Sequence, residues 1–358
     1  MIDIPDELIA SQYAFNGPAG RAFVAALPGL AGRFLEEWGL RRDGAVMYGM
    51  CALVLPVVRE ADGVPAVLKL QLVDEETAGE PVALRAWGAA GAGAVEVLGH
   101  DPETGALLLE RLDEGRPLSG VAAGGGAGAG GGAGVGGVSG VVVGGAGVSG
   151  VGDVAGVRAA VTVLGEVLAR LAAVPAPAGL RTLGDAVERM LAAAPGVVER
   201  LADEEERRLL ADCVAAVREV AGEPGDRLLH WDLHYDNILA GRADSGRAGE
   251  WVALDPKPLA GDPGFELFPA LHNLFDAGEV VWRFDALTEA LGLERDRERA
   301  RAWTLGRVLQ NAVWAVGGGE RRIAPDHAEI ARRLLRMRYG CGGRVARAAD
   351  AVTVLLMR

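Results

Sequence analysis

A polar cluster enclosed by two apolar pairs constrains the fold of this sequence most strongly. Leu228 and Leu229 lead into the segment His230-Trp-Asp-Leu-His-Tyr-Asp-Asn237, and Ile238 and Leu239 follow it directly. This pattern is typical of a short turn between two buried strands, with the polar groups gathered at its tip. A solvated turn without chemistry has the same outline, so the spacing of the polar residues has to decide between the two interpretations.

Asp232 and Asn237 stand five residues apart within this cluster. The spacing is that of the H-x-D-x-x-x-x-N catalytic loop of kinases, where the Asp accepts the proton of the substrate hydroxyl and the Asn holds a metal ion. Zinc is an alternative, because His230 and His234 are four residues apart and could share one helix face as ligands. That alternative needs a third ligand, and the three Cys occur singly along the chain.

Two elements of the sequence resemble one family of kinases. With His234 two residues after Asp232, the loop resembles that of small-molecule antibiotic kinases, the aminoglycoside phosphotransferase family. Further on, Asp255-Pro-Lys-Pro258 and Gly261-Asp-Pro-Gly-Phe-Glu-Leu267 resemble a narrower group of that family, the bacterial streptomycin 6-kinases and hydroxyurea kinases. The resemblance extends over nearly the whole chain except a Gly-rich insert.

The charge of the chain limits its partners. The formal net charge is −13, which argues against nucleic acid and favours cationic small molecules through long-range attraction, although an acidic balance also aids solubility alone. Apolar residues make up half of the 358 positions, enough for two or three compact units. We expect no protein partner and no membrane segment, because no apolar run long enough to cross a bilayer is free of glycine or charge.

The compartment and the cysteine state follow from similar observations. The acidic start of the chain lacks the basic and apolar parts of a signal peptide, so we expect a cytoplasmic protein, which suits an ATP-dependent enzyme. The spacing of Cys51, Cys213 and Cys341 predicts free thiols.

Lysine is almost absent from this sequence. Of 36 Lys and Arg residues only two are lysines, Lys69 and Lys257. The enrichment in Arg, Ala and Gly indicates a GC-rich coding bias that replaces Lys wherever Arg serves as well. A Lys that remains under this bias is a candidate for a position that needs an ammonium group.

The first third of the chain predicts helices followed by a sheet. Residues 1–40 carry apolar residues at helical spacing, and strands are predicted at residues 52–59 and 65–72 around a hairpin turn. By the resemblance to kinases, the turn that precedes the first strand covers the ATP phosphates. Tyr48 and Gly49 belong to that turn, where backbone amides would bind the phosphates.

Lys69 stands in the segment Val67-Leu-Lys-Leu70, which resembles the V-A-I-K strand whose Lys contacts the α- and β-phosphates in kinases. A Lys between apolar residues could also protect the edge of a sheet. A Glu on the following amphipathic stretch, which begins around Glu75, should pair with this Lys. We favour Glu80, because Ala83, Leu84 and Trp87 follow it at helical spacing, and Glu76 is the alternative.

Two further strands and a low-complexity segment complete the expected N-terminal part. Strands are predicted at residues 94–98 and 106–112, and the resemblance to kinases implies that the backbone near Glu110 to Leu112 binds adenine. Residues 120–156 are about half Gly and bury too little to offset the cost of ordering the backbone, which predicts a disordered insert without chemistry.

The rest of the chain predicts helices around one hairpin. Helices are predicted at 157–174, 183–194 and 197–220, and a hairpin at 237–240 and 250–255. Asp255 ends that hairpin, and the resemblance implies that it and Asn237 hold Mg²⁺. The segment after 265 predicts helices that wall the acceptor site, with His234, Asp276 and Glu279 as candidate substrate contacts.

These observations give one expectation for fold and function. The expected fold class is α+β: a two-lobed protein-kinase-like fold with a small antiparallel-sheet N-lobe (1–115), a Gly-rich insert (116–156) and a mainly helical C-lobe (157–358). The resemblance implies transfer of the ATP γ-phosphoryl group to a hydroxyl of an aminoglycoside, with position 6 of streptomycin as the favoured acceptor and antibiotic resistance as the outcome. Another acceptor such as hydroxyurea, or a non-catalytic ATP-binding protein, are the alternatives.

Overall fold

The computed structural model describes residues 2–49, 51–124 and 154–337. The chain divides into two compact units of two segments each: Met1–Arg181 with Asp226–Ala260, and Thr182–Gly225 with Gly261–Arg358. Residues 125–153, the larger part of the predicted insert, lie outside the described residues. The proposed insert and the lobe boundaries at 115 and 157 stay predictions, although the described ends of the insert are helical at Leu118–Ala122 and from Val154 onward.

An antiparallel sheet forms the N-terminal part of the first unit. Its strand order is β1-β3-β4-β6-β5, and β2 also pairs with β3. Every pairing in this sheet is antiparallel, as the hairpin signals of the sequence predict. The strands are β1 (Leu40–Arg42), β2 (Met47–Tyr48), β3 (Ala52–Arg59), β4 (Pro65–Gln71), β5 (Val97–His100) and β6 (Leu107–Glu110).

The helix α1 (Asp6–Glu37) packs against one face of this sheet. It consists of two helical segments joined at Gly17, whose φ of 50° is accessible to a glycine. Its apolar stripe buries Leu27 and Phe34 among the side chains of β3 and β4, including Leu68 and Leu70. Because side chains alternate along a strand, Lys69 points to the opposite face of the sheet.

The remaining elements of the first unit carry the loop around Asp232. The helix α2 begins at Glu80 beside the free face of the sheet, and a second antiparallel sheet has the order β10-β9-β7. The strand β8 leads into the polar cluster and pairs with β11. The elements are α2 (Glu80–Ala90), β7 (Asp113–Pro117), α3 (Leu118–Ala122), α4 (Val154–Ala172), β8 (Arg227–Leu229), β9 (Ile238–Ala240), β10 (Trp251–Ala253) and β11 (Leu259–Gly261).

The second unit is helical in the residues that the structure describes. Its core lies between α9 and the pair α5 and α6, where Trp303 is fully buried with its ring edge toward Phe265. Asp262 caps a short 3₁₀ helix by accepting a hydrogen bond from the amide of Gly264 and also pairs with Arg299. The helices are α5 (Leu183–Arg200), α6 (Glu204–Val220), α7 (Leu267–His272), α8 (Val280–Ala290), α9 (Arg297–Gly317) and residues 325–337.

The predicted mixture of a small antiparallel sheet and many helices is confirmed, but three predicted boundaries are wrong. Helix α5 continues through Pro195 to Arg200, and the break falls at Asp203, whose carboxylate accepts the first amides of α6 and so gives the stronger start signal. Helix α2 starts only at Glu80, because Asp74 holds the preceding residues in a turn. Ala94 does not belong to β5 but bridges to Ala253 of β10.

Two further expectations concern the cysteines and the membrane segments. Cys51 and Cys213 are free thiols as predicted, and Cys341 lies outside the described residues. Burial raises the pKa of the Cys213 thiol to about 12, so this group is not a nucleophile at neutral pH. Within the described ranges, every helix is too short or too polar to cross a membrane.

Candidate active site

The polar cluster forms a tight loop between β8 and β9. Residues Tyr235–Asn237 make one turn of 3₁₀ helix, and the side chain of His234 caps it by accepting a hydrogen bond from the amide of Asp236 at 3.3 Å. Trp231 has a φ of 71°, a left-handed conformation that is costly for a large side chain. The guanidinium of Arg181 lies over the Trp231 ring at 4.5 Å from its centre, which holds this backbone in place.

Backbone hydrogen bonds join this loop to the segment that follows β10. The side-chain amide of Asn237 donates to the carbonyl of Asp232 at 2.9 Å, and the carbonyl of Asn237 accepts from the amide of Leu254 at 3.0 Å. The ring of His230 contacts the Leu254 carbonyl at 3.1 Å, and the carbonyl of His230 accepts from the amide of Lys257 at 3.0 Å. Asp232, Asn237 and Asp255 are therefore held on one rigid frame.

Lys69 lies between two carboxylates on the free face of the sheet. Its Nζ is 2.7 Å from Oε1 of Glu80 and 2.5 Å from Oδ1 of Asp255. Glu80, the favoured partner, is thus the residue in contact, whereas Glu76 lies 3.6 Å from Nη1 of Arg181. The side chains of Lys69 and Glu80 are 7% and 1% exposed, but that of Asp255 is 45% exposed. Asp255 therefore presents a carboxylate oxygen to whatever binds beside it.

The electrostatics of these three groups depend on one another. Burial alone would lower the pKa of Lys69, but the attraction of Asp255 and Glu80 outweighs it and raises that pKa. Burial raises the pKa of Glu80, with Lys69 opposing this effect. Burial would also raise the pKa of Asp255, but the ammonium groups of Lys69 and Lys257 hold it below its ordinary value. Lys69 is therefore charged and Asp255 is an anion at neutral pH.

The second lysine of the chain reaches the other end of the loop. Nζ of Lys257 is 3.1 Å from Oδ2 of Asp232, and the Asp232 side chain is 7% exposed. Both lysines of the sequence thus contact carboxylates that belong to one cluster. Asp255 also has a positive φ, 59°, so two of the three described non-glycine residues with this backbone geometry, Trp231 and Asp255, belong to this site.

The turn between β2 and β3 has the geometry of a hairpin. Met47 and Tyr48 pair with Val54 and Leu53, and the amide of Gly49 donates to the carbonyl of Ala52 at 3.0 Å. That bond closes the turn, and a phosphate contact by the backbone of Tyr48 and Gly49 stays a prediction. The side chain of Gln12 in α1 donates to the carbonyl of Cys51 at 3.0 Å and fixes the far side of the turn.

The predicted adenine contacts differ from each other in the structure. Glu110 is the last residue of β6; its amide donates to the carbonyl of Glu96 at 3.0 Å and its carboxylate pairs with Arg247 at 2.6 Å. Its amide is therefore part of the sheet. Leu112 follows β6 with its side chain buried, and an adenine contact by the backbone near Glu110 to Leu112 stays a prediction.

The candidate substrate contacts lie in separate environments. His234 is buried within the loop of the first unit. Asp276 and Glu279 belong to the second unit, where the Asp276 carboxylate accepts from the amide of Gly278 at 2.7 Å and its carbonyl accepts from that of Glu279 at 3.1 Å. These bonds shape the loop before α8, and Asp276 remains exposed to solvent.

In the part of the chain that the structure describes, no third ligand side chain lies close enough to His230 and His234 to complete a zinc site. Among the described residues, the only three-ligand group of His, Cys, Asp or Glu side chains is His272, Asp326 and His327 in the second unit. The ring of His230 stacks on Trp87 with centroids 5.9 Å apart, and burial lowers its pKa to about 4. His230 is thus a neutral side chain that positions the loop.

Sequence reasoning assigns no role to two residues of this cluster. Lys257 is a rare lysine, a signal that could have placed it in the site, but no partner follows from the sequence. Arg181 donates to the carbonyl of Lys257 at 2.6 Å and contacts Trp231, although it is 76 residues away from Lys257 in the chain. It is one of many arginines, so the sequence carries no signal for it.

Comparisons with known proteins agree on one family. A family model described as "Aminoglycoside/hydroxyurea antibiotic resistance kinase" matches residues 37–130 and 143–319. A hydroxyurea phosphotransferase from Kitasatospora aureofaciens is 53% identical, covering 94% of this chain and 86% of the relative. A streptomycin 6-kinase from Streptomyces glaucescens is 44% identical, covering 93% of this chain and 97% of the relative.

A solved structure supports the fold independently. A crystal structure of aminoglycoside phosphotransferase APH(4)-Ia superposes with a TM-score of 0.51 at 13% identity, covering 87% of this chain and 98% of that one. At this identity the likeness concerns the fold alone. The predicted kinase-like α+β fold is thereby confirmed.

Proposed function

The chain belongs to the aminoglycoside/hydroxyurea antibiotic resistance kinase family and is a phosphotransferase that acts on a hydroxyl group, and we propose that it transfers the γ-phosphoryl group of ATP to a small antibiotic-type acceptor. The observation that carries this proposal is the cluster in the first unit. It brings Lys69, Glu80, Asp255, Asp232 and Asn237 onto one frame, although they span almost 190 residues of sequence. Since ATP is made and used in the cytoplasm, we place the reaction there.

Asp232 is the residue we assign to the acceptor hydroxyl. As the bond from the hydroxyl oxygen to the γ-phosphorus forms and the bond to the ADP oxygen breaks, the Asp232 carboxylate accepts the hydroxyl proton. Its carbonyl is fixed by Asn237 and its neighbour Trp231 by Arg181, so the carboxylate is positioned in advance. Such a fixed base has little reorganisation to undergo during the reaction.

Lys69 and Glu80 are assigned to the phosphates of the nucleotide. The ammonium of Lys69 is charged and almost fully buried, so its field acts in a medium that screens it weakly. Glu80 fixes its position at 2.7 Å from the other side. The backbone of Tyr48 and Gly49 in the β2–β3 turn, and that near Glu110 to Leu112, remain the candidate contacts to phosphate and adenine.

The donor set beside Asp232 fits a magnesium ion. Asn237 uses its side-chain nitrogen to bind Asp232, which leaves its side-chain oxygen for a cation, and Asp255 is a half-exposed carboxylate. Hard oxygen ligands of this kind are those Mg²⁺ prefers. When bound, Mg²⁺ would neutralise phosphate charge and orient the transferred group. Asn237 and Asp255 are the residues we assign to hold it.

Two acceptors have specific support. Hydroxyurea is favoured because a hydroxyurea phosphotransferase is 53% identical over 94% of this chain. Streptomycin, the acceptor that the sequence motifs favour, is supported by the 44% identical streptomycin 6-kinase and by the net charge of −13, which attracts a cationic drug. His234, Asp276 and Glu279 remain the candidate acceptor contacts.

An ADP-release assay with both acceptors tests the function. The purified full chain is incubated with ATP and Mg²⁺ and with hydroxyurea, streptomycin or choline, and the product is identified by the mass of one added phosphoryl group. We expect acceptor-dependent turnover with hydroxyurea or streptomycin and none with choline. For the cationic acceptor alone, KM should rise with salt. Absence of acceptor-dependent ADP release with both antibiotics would refute the proposal.

A further inference from the structure

The proposed function leaves one charged group of the cluster without a role. Lys257 is one of two lysines among 36 basic residues, and its Nζ is 3.1 Å from Oδ2 of Asp232, the assigned base. Its side chain is 22% exposed, three times the exposure of Lys69. An ammonium group that pairs with the base and still faces solvent is able to contact what binds beside that base.

The backbone of Lys257 is fixed on both sides while its side chain is long. Its amide donates to the carbonyl of His230 at 3.0 Å, and its carbonyl accepts from Nη2 of Arg181 at 2.6 Å. Pro256 and Pro258 flank it and restrict the backbone further. Only the four-carbon stem can therefore move the ammonium group.

Acidic side chains surround the ammonium group of Lys257. Nζ of Lys257 pairs with Oδ2 of Asp232 at 3.1 Å, and Asp255 and Glu76 also attract the ammonium group. A lysine ammonium has three donors, so it can keep its bond to Asp232 and donate to a second anionic oxygen at the same time.

We propose that Lys257 is a second phosphoryl-binding cation, which donates to the transferred γ-phosphoryl group from the side of Asp232 while Lys69 acts on the nucleotide side. This inference rests on the proposed function and adds a catalytic residue to it. The γ-phosphorus bond to the ADP oxygen breaks, the bond to the acceptor oxygen forms, and the hydroxyl proton goes to Asp232. Lys257 keeps its own proton throughout and stabilises the charge on the phosphoryl oxygens.

The competing interpretation is that Lys257 only positions Asp232. A binding experiment separates the two, because a contact to the phosphoryl group acts on ligands that carry a γ-phosphate and persists when Asp232 has lost its charge. Affinities for ADP and for the non-hydrolysable imido analogue of ATP are measured by calorimetry with Mg²⁺. The proteins are the wild type, K257M, D232N and the double variant D232N/K257M, with R59M as a control for loss of one positive charge.

We expect K257M to lower the affinity for the ATP analogue about tenfold and the affinity for ADP by less than twofold, in the wild-type and in the D232N background alike. Turnover of K257M should fall about 100-fold with KM for the acceptor nearly unchanged, and R59M should match the wild type. Equal affinities for the analogue with and without Lys257 in the D232N background would overturn the inference. A wild type without turnover would instead refute the proposed function.

An independent observation concerns a side-chain cluster in the second unit. Nε2 of His272, at the end of α7, lies 2.9 Å from Oδ2 of Asp326, and the ring centres of His272 and His327 are 4.7 Å apart. One ligand atom from each of the three residues lies within 4.8 Å of the others, and all three are partly exposed. The ring of Phe268 contacts both histidines and limits their orientation.

From this geometry we infer that His272, Asp326 and His327 bind a divalent transition metal ion, with Zn²⁺ as the probe of choice. Two imidazoles and one carboxylate are a common protein ligand set for zinc, with water in the fourth position. The amide of His327 donates to Oδ1 of Asp326 at 2.9 Å and leaves Oδ2 directed at the ligand group. Partial exposure gives the ion a path of entry.

Zinc titration of the chelator-treated full chain tests this site. We expect the wild type to bind one more Zn²⁺ than D326N and H327A, and Zn²⁺ to raise its thermal midpoint but not theirs. H100A, which removes a histidine of β5, should behave as the wild type. Midpoints without zinc establish that the variants are folded. Equal zinc stoichiometry of the wild type and H327A would refute the site.

Discussion

The two units use their positive charges differently. Both lysines lie in the first unit and contact Glu80, Asp255 and Asp232. The second unit contains no lysine, and the ion pairs described within it are formed by Arg or His, as that of Asp285 with Arg297. An exposed pair gains little from the choice of cation. A cation such as Lys69, which reaches the buried Glu80 and the half-exposed Asp255 from one position, needs the compact ammonium group. Lys is thus retained at the positions where the shape of the cation matters, although the coding bias favours Arg elsewhere.

Removal of a carboxylate charge should give the largest difference in turnover between a substitution in the first unit and one in the second. Asp232→Asn leaves the shape of the side chain but removes the assigned base, so turnover should fall about 100- to 10,000-fold while ATP still binds. Asp285→Asn makes the same change at a half-exposed pair of the second unit and should leave turnover within twofold. Steady-state ADP release and nucleotide binding measure both. Turnover of D232N within a few-fold of the wild type would show that the base is assigned wrongly.

Exchange of lysine and arginine tests the comparison directly. Lys69→Arg keeps the charge but forces a planar guanidinium into a side-chain position that is 7% exposed, so turnover should fall about 100-fold. Arg332→Lys, at an exposed pair with Glu205, should change the free energy of unfolding by less than about 0.5 kcal/mol and leave turnover unchanged. Full activity of K69R would mean that the compact shape of the ammonium group does not explain why lysine survives at position 69.

Glu80 in the first unit and Glu206 in the second are buried glutamates with basic partners. Glu80→Gln leaves Asp255, the residue we assign to Mg²⁺, as the one carboxylate that pairs with Lys69 at this position, so we expect about tenfold lower turnover and about 1–3 kcal/mol lower stability. Glu206→Gln removes the charge that Arg322 and the Ile323 amide contact, and should cost similar stability without loss of activity. Urea unfolding and ADP release distinguish the two. A similar loss of activity in E206Q would contradict the comparison.

Much of the first unit is predictable from the sequence, because the patterns that determine its strands and helices lie within short segments. The β3–β4 hairpin, the alternation that isolates Lys69 from Leu68 and Leu70, and the helical spacing after Glu80 are all read within a few residues. The kinase-like spacing of Asp232 and Asn237 indicates the fold class and the place of the loop. These features depend on periodicity and on turn residues, both of which can be recognised in a single sequence.

The unpredicted features depend on residues distant in sequence. Arg181 binds the Lys257 carbonyl, and Lys257 binds Asp232 from 25 positions away, contacts that only folding creates. The Gly49 amide closes its own hairpin, and that of Glu110 belongs to the sheet, pairings for which the sequence gives no signal at either position. Backbone hydrogen bonds leave no side-chain signature, and a resemblance therefore transfers their position without their partners.

The last expected effect concerns acid sensitivity. His230 is buried beside Trp87, and burial lowers its pKa to about 4 despite the nearby charges of Asp232 and Asp255; His234 lowers it further. Its folded pKa lies below the ordinary value of 6.5, so its stabilising effect is complete above pH 6.5 and is lost as the pH falls toward 4. Between pH 7 and pH 5 the loss should be about 2 kcal/mol.

Urea unfolding at both pH values with a chelator present measures that loss in the wild type and in His230→Gln, which cannot titrate. The variant should lose about 2 kcal/mol less than the wild type on acidification. His327 of the second unit also has a pKa lowered to about 4, but it is partly exposed, so His327→Gln should remove a smaller part of the pH dependence. If H230Q loses as much stability as the wild type, the neutral imidazole beneath the catalytic loop is not what makes the first unit acid-sensitive.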